Sequence, residues 1–173
     1  MRILGIDPGS RKAGVGIIEA EGNRIRHIHH TTIHCVDPVF TQRLGILFAG
    51  LKQVITEFHP DMVAIEDVFM GKNASSALKL GQARGALIAA CANASLPIAS
   101  YSPTLVKQSL IGYGRAEKGQ MQYMVGMLLA LPGKIQEDAA DALAVAICHA
   151  NHAPIGARAP EQTRTQPRLD QAI

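Results

Sequence analysis

Four acidic residues stand where ordinary strand and helix chemistry does not favour them. The stretch QEDAADALAVA, residues 136–146, is alanine-rich and aliphatic, yet it carries Asp138 and Asp141 three residues apart. On a helix these two share a face, and like charges at that spacing repel by about 0.2–0.5 kcal/mol. Two more acids close short apolar runs: Asp7 ends RILGID, and Glu66 closes a strand read in MVAIEDVF. Brought together in a low-dielectric cleft, four carboxylates repel strongly and persist only if some hold protons or a hard divalent cation binds. Oxygen-only donors suit Mg²⁺ or Mn²⁺ rather than zinc. Two such ions about 3.5–4 Å apart form the usual clamp for in-line phosphodiester displacement. Each acid also has a plainer reading. Asp7 precedes Pro8-Gly9 and fits a turn; Glu66 and Asp67 fit solvated strand ends; Asp138 fits an N-cap, and Asp141 an acid near the positive end of the helix dipole. The two readings part on whether the fold gathers all four.

The elements that must do this are legible in outline. RILGID is a short apolar run closed by PGS, hence a strand and a turn. AGVGIIEA and RIRHIHHTTI follow as strands across the turn EGN, which implies an antiparallel meander. The stretch 37–60 repeats apolar residues at helical spacing, with Asp37 and Pro38 suiting its start and Pro60 its stop. MVAIEDVF is a fourth strand, central because it is mostly apolar. Residues 75–97 form a helix of small residues, in which Gly81 and Gly85 suggest close approach of another backbone. IASYS is a fifth strand, and PTLVKQSLI, MQYMVGMLLAL and the acidic stretch are three further helices. The order β-β-β-α-β-α-β-α-α-α makes strands four and five parallel to the first. An α/β fold follows: a mixed five-stranded sheet with helices on both faces. Parallel strands bring their carboxyl ends to one edge, so Asp7 and Glu66 meet there, and the last helix completes the cluster if it crosses that edge.

Bulk properties narrow the class. The chain has 173 residues and 47% hydrophobic content, enough for one globular domain. Net charge is only +3. Between Val68 and Gln136, however, seven basic residues (Lys72, Lys79, Arg84, Lys107, Arg115, Lys118, Lys134) face the single acid Glu117, which suits a polyanion partner as well as a solvated face. Cys35, Cys91 and Cys148 lack metal-ribbon or disulfide spacing and fit a reducing cytoplasm. No signal peptide or membrane span is expected. Residues 1–152 read as one domain, and 153–173, polar and interrupted by prolines, as a flexible tail.

GIDPGSRKAGVGII, AIEDVFMGKNASSALKLGQARG, VKQSLIGYGRAEKGQMQYMV and DAADALAVAICH, in this order, together resemble the RuvC family of crossover junction endonucleases, the Holliday junction resolvases. The resemblance spans residues 1–152. It implies an RNase H-like (retroviral integrase-like) nuclease domain acting as a homodimer. Such a dimer nicks a four-way DNA junction symmetrically with Mg²⁺, leaving 5′-phosphate and 3′-hydroxyl ends, in recombination and repair. By the same resemblance Asp7, Glu66, Asp138 and Asp141 are the catalytic metal ligands, with Mn²⁺ a possible substitute and two ions per site expected. Asp138 is the least secure of the four, because some relatives carry histidine there. Asp67 falls outside the pattern. Lys107 and Lys118 match lysines near the cleft that stabilise the phosphate as charge builds or simply hold the DNA backbone; Phe69, which on sequence alone fits a core residue equally, matches one that stacks on distorted bases at the crossover, and Lys72 shares its loop. The branch-migration proteins RuvA and RuvB are implied partners.

Competing features are weaker. HIHH, residues 27–30, puts His27 and His29 on one strand face under simple alternation, without a third metal ligand. Cys148, His149 and His152 are a similarly thin case. The helix 75–95 is the expected dimer interface, since two-fold symmetry suits two cuts on a two-fold junction. An actin-like or sugar-kinase ATP-binding protein also opens with Asp-x-Gly, but it needs two clasping domains that 173 residues do not supply. A YqgF-type nuclease shares the fold but lacks VFM and the match around KLGQARG. A catalytically silent junction-binding dimer is the remaining alternative.

Overall fold

The computed structural model describes residues 1–68, 73–112 and 119–152. Phe69, Lys72, Lys118 and the stretch 153–173 lie outside the described residues. Among the described residues five strands and five helices follow the order that the periodicity predicts: β1 (Arg2–Asp7), β2 (Lys12–Glu21), β3 (Arg24–His34), α1 (Phe40–Phe58), β4 (Met62–Glu66), α2 (Ala74–Asn93), β5 (Ile98–Tyr101), α3 (Pro103–Ile111), α4 (Gln120–Leu128) and α5 (Glu137–His152). The sheet order is β3-β2-β1-β4-β5. The first three strands pair antiparallel, and β1–β4 and β4–β5 pair parallel.

Alternation along β1 assigns the two faces. Leu4 and Ile6 join Val15, Ile17, Val63 and Ile65 against Leu47, Leu51 and Val54 of α1 and Ala83 and Leu87 of α2. Ile3 and Ala64 point the other way, into a core with Val106 of α3, Val125 of α4 and most of α5. Residues 139–149 of α5 are buried except Asp141, which is partly so; a helix apolar nearly all round is a central one.

Several boundaries and contacts differ from the sequence reading. β4 stops at Glu66 instead of running on through Phe69. Arg84 caps its end, donating from Nε to the Glu66 carbonyl (3.1 Å) and from a terminal nitrogen to Asp67 Oδ1 and Ser100 Oγ (2.8 Å each). Asp37 does not cap α1: its Oδ1 accepts from Val39 N–H at 2.7 Å, an Asx turn, and the helix begins at Phe40. Among the described residues Gly81 and Gly85 meet no neighbouring backbone, since a Cβ built on either finds nothing within 4 Å.

The histidines of β3 are also rearranged. Register shifts between Ile17 and Ile18, where His29 and His27 are the successive partners and Ile28 is the extra residue. A bulge reverses the alternation beyond it. His27 and His30 therefore share a face, Nε2 to Nδ1 at 2.8 Å, while His29 stacks on Phe58 across the sheet.

Candidate active site

The site is assembled by glycines that the sequence reading did not single out. Gly5 lies two residues before Asp7, and on β2 Gly16 pairs with Gly5 and Gly14 with Asp7, so all three glycines lie on the face toward α5. A Cβ on Gly5 would lie 2.0 Å from the Ala142 carbonyl oxygen, one on Gly14 1.9 Å from that of Asp138, and one on Gly16 2.8 Å from the Leu143 nitrogen. The bare strand surface lets α5 lie directly on the sheet, backbone against backbone. The usable signal was period-two glycine inside apolar strands, which marks close backbone approach.

Two polar contacts then fix the start of α5. Gln122 Nε2 donates to the Ile135 carbonyl at 3.0 Å, and Thr32 Oγ1 donates to Gln136 Oε1 at 3.2 Å. The helix opens at Glu137, so Asp138 lies within its first turn instead of capping it. Asp7 and Glu66 end adjacent parallel strands on the same face, one step beyond the Ile6–Ile65 pair. Asp141 projects toward them from the second turn of α5.

The electrostatics follow from this crowding. The Asp7 carboxyl is pushed up to about 8, first by burial, then by the charges of Glu66, Asp141 and Asp138, and by a hydrogen bond with Glu66. Glu66 rises to about 7 through burial and Asp141, opposed by its bond with Asp7 and by Lys107. Asp141 rises to about 6 through burial, Glu137 and Asp138, opposed by Lys107 and Lys12. Asp7 and Glu66 thus share a proton, the response expected of carboxylates too close to ionise together. Lys107 lines a small cleft, roughly 150 Å³, with Glu66, Asp141, Pro103, Val106 and Met121. Asp138 turns to Lys12, whose Nζ lies 2.5 Å from its Oδ2.

All four predicted acids, with Lys107, therefore gather at one sheet edge from β1, β4, α3 and α5. Asp67 is excluded, as expected, because Arg84 holds it. Arg84 itself, which pins the chain around Glu66, was read only as one of several basic residues. Among the described residues no three histidine, cysteine or acidic groups are arranged to hold a metal ion as they stand. The donors are engaged with a shared proton and a lysine instead. Their all-oxygen chemistry and heightened proton affinity fit a hard divalent ion, which offsets the same repulsion. The histidines elsewhere do not compete. Cys148 is buried in the core, and His152 Nδ1 donates to the Cys148 carbonyl at 2.8 Å as part of the helix end.

Comparisons with known proteins agree with this arrangement. The family model described as crossover junction endodeoxyribonuclease RuvC matches residues 3–149. Crossover junction endodeoxyribonuclease RuvC of Citrifermentans bemidjiense is 55% identical, covering 91% of this chain and 96% of that protein. The Vibrio cholerae protein of the same name is 54% identical over 86% of each. Among solved structures, Thermus thermophilus RuvC in complex with Holliday junction substrate superposes with a TM-score of 0.82 at 34% identity, covering 88% of this chain and 94% of that one. A yeast mitochondrial Holliday junction resolvase, at 13% identity and a TM-score of 0.64, shares the fold. A family match over nearly the whole described chain, joined to relatives more than half identical to it, places the chain in the RuvC family.

Proposed function

We propose that this chain resolves four-way (Holliday) DNA junctions as a metal-dependent endonuclease, making paired symmetric nicks by phosphodiester hydrolysis. The observation that carries the reading is the convergence of Asp7, Glu66, Asp138 and Asp141 beside Lys107. These four acids would hold Mg²⁺, with Mn²⁺ as a substitute and two ions per site. When bound, the ions supply activation of the attacking water and stabilisation of the leaving 3′-oxygen. The chain's own groups do the rest. Burial keeps the carboxylates poorly hydrated, so they favour a cation strongly once deprotonated. Arg84 holds the Glu66 carbonyl and the Asp67 carboxylate and thereby steadies the direction of the Glu66 side chain. Lys107, between Glu66 and Asp141, steadies the scissile phosphate as negative charge builds. Phe69, Lys72 and Lys118 complete the DNA contacts in this reading, Phe69 by stacking on unpaired bases.

The exposed face of α2 supports a homodimer. Leu78 is 66% exposed there, and Gly81 and Gly85 leave room for a second backbone. In this reading RuvA and RuvB are partners and the setting is cytoplasmic. Among the described residues no helix is long and apolar enough to cross a membrane. The test is incubation with a synthetic four-way junction and with linear duplex, with and without Mg²⁺, for the chain and Asp7→Asn. Paired nicks in the junction alone, requiring Mg²⁺ and lost in Asp7→Asn, support the reading. Junction binding without nicking under any condition establishes the silent binder instead.

A further inference from the structure

Before a divalent ion arrives, something must neutralise the acid on the first turn of α5, and the structure assigns a residue to it. Lys12 opens β2 opposite His34 on β3 and reaches Asp138 with its ammonium at 2.5 Å. Half of the lysine side chain is exposed (51%), against 21% for Asp138. The lysine end of the pair is therefore the one free to move. Lys12 also borders a second feature, an open cleft of roughly 430 Å³ shared with His34, Gln122, Lys134, Ile135, Gln136, Glu137 and Asp138. Lys12, Lys134, His34, Gln122 and Gln136 line it alongside the acids Glu137 and Asp138, so phosphates placed along it would have cationic and hydrogen-bonding partners.

A divalent ion held by Asp138 and Asp141 cannot comfortably share Asp138 with an ammonium, since the two cations repel at such separations. We infer that Lys12 is the resident counter-cation of Asp138 and trades that carboxylate for a DNA phosphate when the divalent ion takes its place. The inference rests on the metal-nuclease reading above and deepens it. Its consequence is linkage. DNA draws Lys12 off Asp138 and so favours the ion; the ion expels Lys12 and so favours DNA. Each ligand must then raise the affinity of the other by the same factor. An exposed ion pair sets that factor at about three- to fivefold.

Lys12→Met keeps the stem and removes the charge. Mn²⁺ binding to the full chain, read by electron paramagnetic resonance with and without a four-way junction, tests the trade without turnover. Without DNA, Lys12→Met should bind Mn²⁺ about three- to fivefold more tightly than the unaltered chain. The mutual enhancement between Mn²⁺ and junction should shrink by the same factor. The salt slope of junction binding should fall by about 0.9, the share of one phosphate contact. Lys12→Arg, which grips a carboxylate with two donors, should shift Mn²⁺ affinity the opposite way. A merely structural lysine would give weaker Mn²⁺ binding and a lower Tm in Lys12→Met, the reverse sign, and that result overturns the inference. Asp141→Asn separates the two levels of the argument. If it weakens Mn²⁺ binding while Lys12→Met matches the unaltered chain, only the role of Lys12 is lost. If Asp141→Asn changes nothing, the metal reading fails and the role of Lys12 with it.

Discussion

Asp7→Asn should disable the site and stabilise the metal-free protein, and the size of that gain tests the electrostatic picture. The Asp7 carboxyl stands at about 8 in the fold against an ordinary 3.8. A folded-state pKa raised above the unfolded one favours the fold below the unfolded value. That advantage is lost progressively as pH rises to the folded value, because the fold must take up a proton that the unfolded chain has released. At about 1.4 kcal/mol per unit, the cost near pH 8 has an upper bound of about 6 kcal/mol. Local rearrangement of Lys12 and Lys107 and partial water access lower it to roughly 3 kcal/mol. Asparagine resembles the protonated acid in shape and donates to Glu66 in its place, so the variant avoids this cost.

In a chain of this length about 3 kcal/mol corresponds to a Tm increase of about 6–12 °C. Differential scanning calorimetry in chelator, near pH 8 and near pH 4, measures it. The gain should be present at the higher pH and absent at the lower. Mg²⁺ should raise the Tm of the unaltered chain but not of Asp7→Asn; at about ten times Kd the stabilisation is about 1.4 kcal/mol. Equal stability of the two proteins near pH 8, or a gain independent of pH, would refute a crowded, proton-sharing pair at this edge.

Three further outcomes follow from individual contacts. Gly14→Ala forces a Cβ to within 1.9 Å of the Asp138 carbonyl oxygen, where neither backbone can yield cheaply. Urea denaturation should show a loss of about 2–4 kcal/mol, with nicking reduced further because Asp138 moves. Arg84→Lys cannot bridge Glu66, Asp67 and Ser100 together; kcat should fall by about tenfold, the order expected for a misplaced ligand, with Tm changed little. An unchanged kcat would remove Arg84 from the positioning of Glu66. Leu78→Asp places a charge on the exposed α2 face. Sedimentation should show a dimer for the unaltered chain and a monomer for the variant, and paired nicks should give way to single ones; a dimer surviving the change places the interface elsewhere.

Much of this molecule is set by local pattern. Period two in RILGID and MVAIE puts Asp7 and Glu66 on one face, and parallel pairing puts them at one edge. Spacing three in DAAD puts both helical acids on one side. These are properties of repeat geometry and apolar burial, so they can be read along the chain. The motif order likewise carries the family. What local pattern does not fix is which distant groups share a cleft. The bulge at Ile28 reverses the histidine face of β3 because a single extra residue shifts every later side chain. Arg84, 18 residues from Glu66, ends β4 by holding its last carbonyl. Gly5, Gly14 and Gly16 matter only because α5 lies across them. Lys12 reaches Asp138 over 126 residues of chain, and only the crossing of that helix over the sheet decides that a lysine, rather than water, meets the acid.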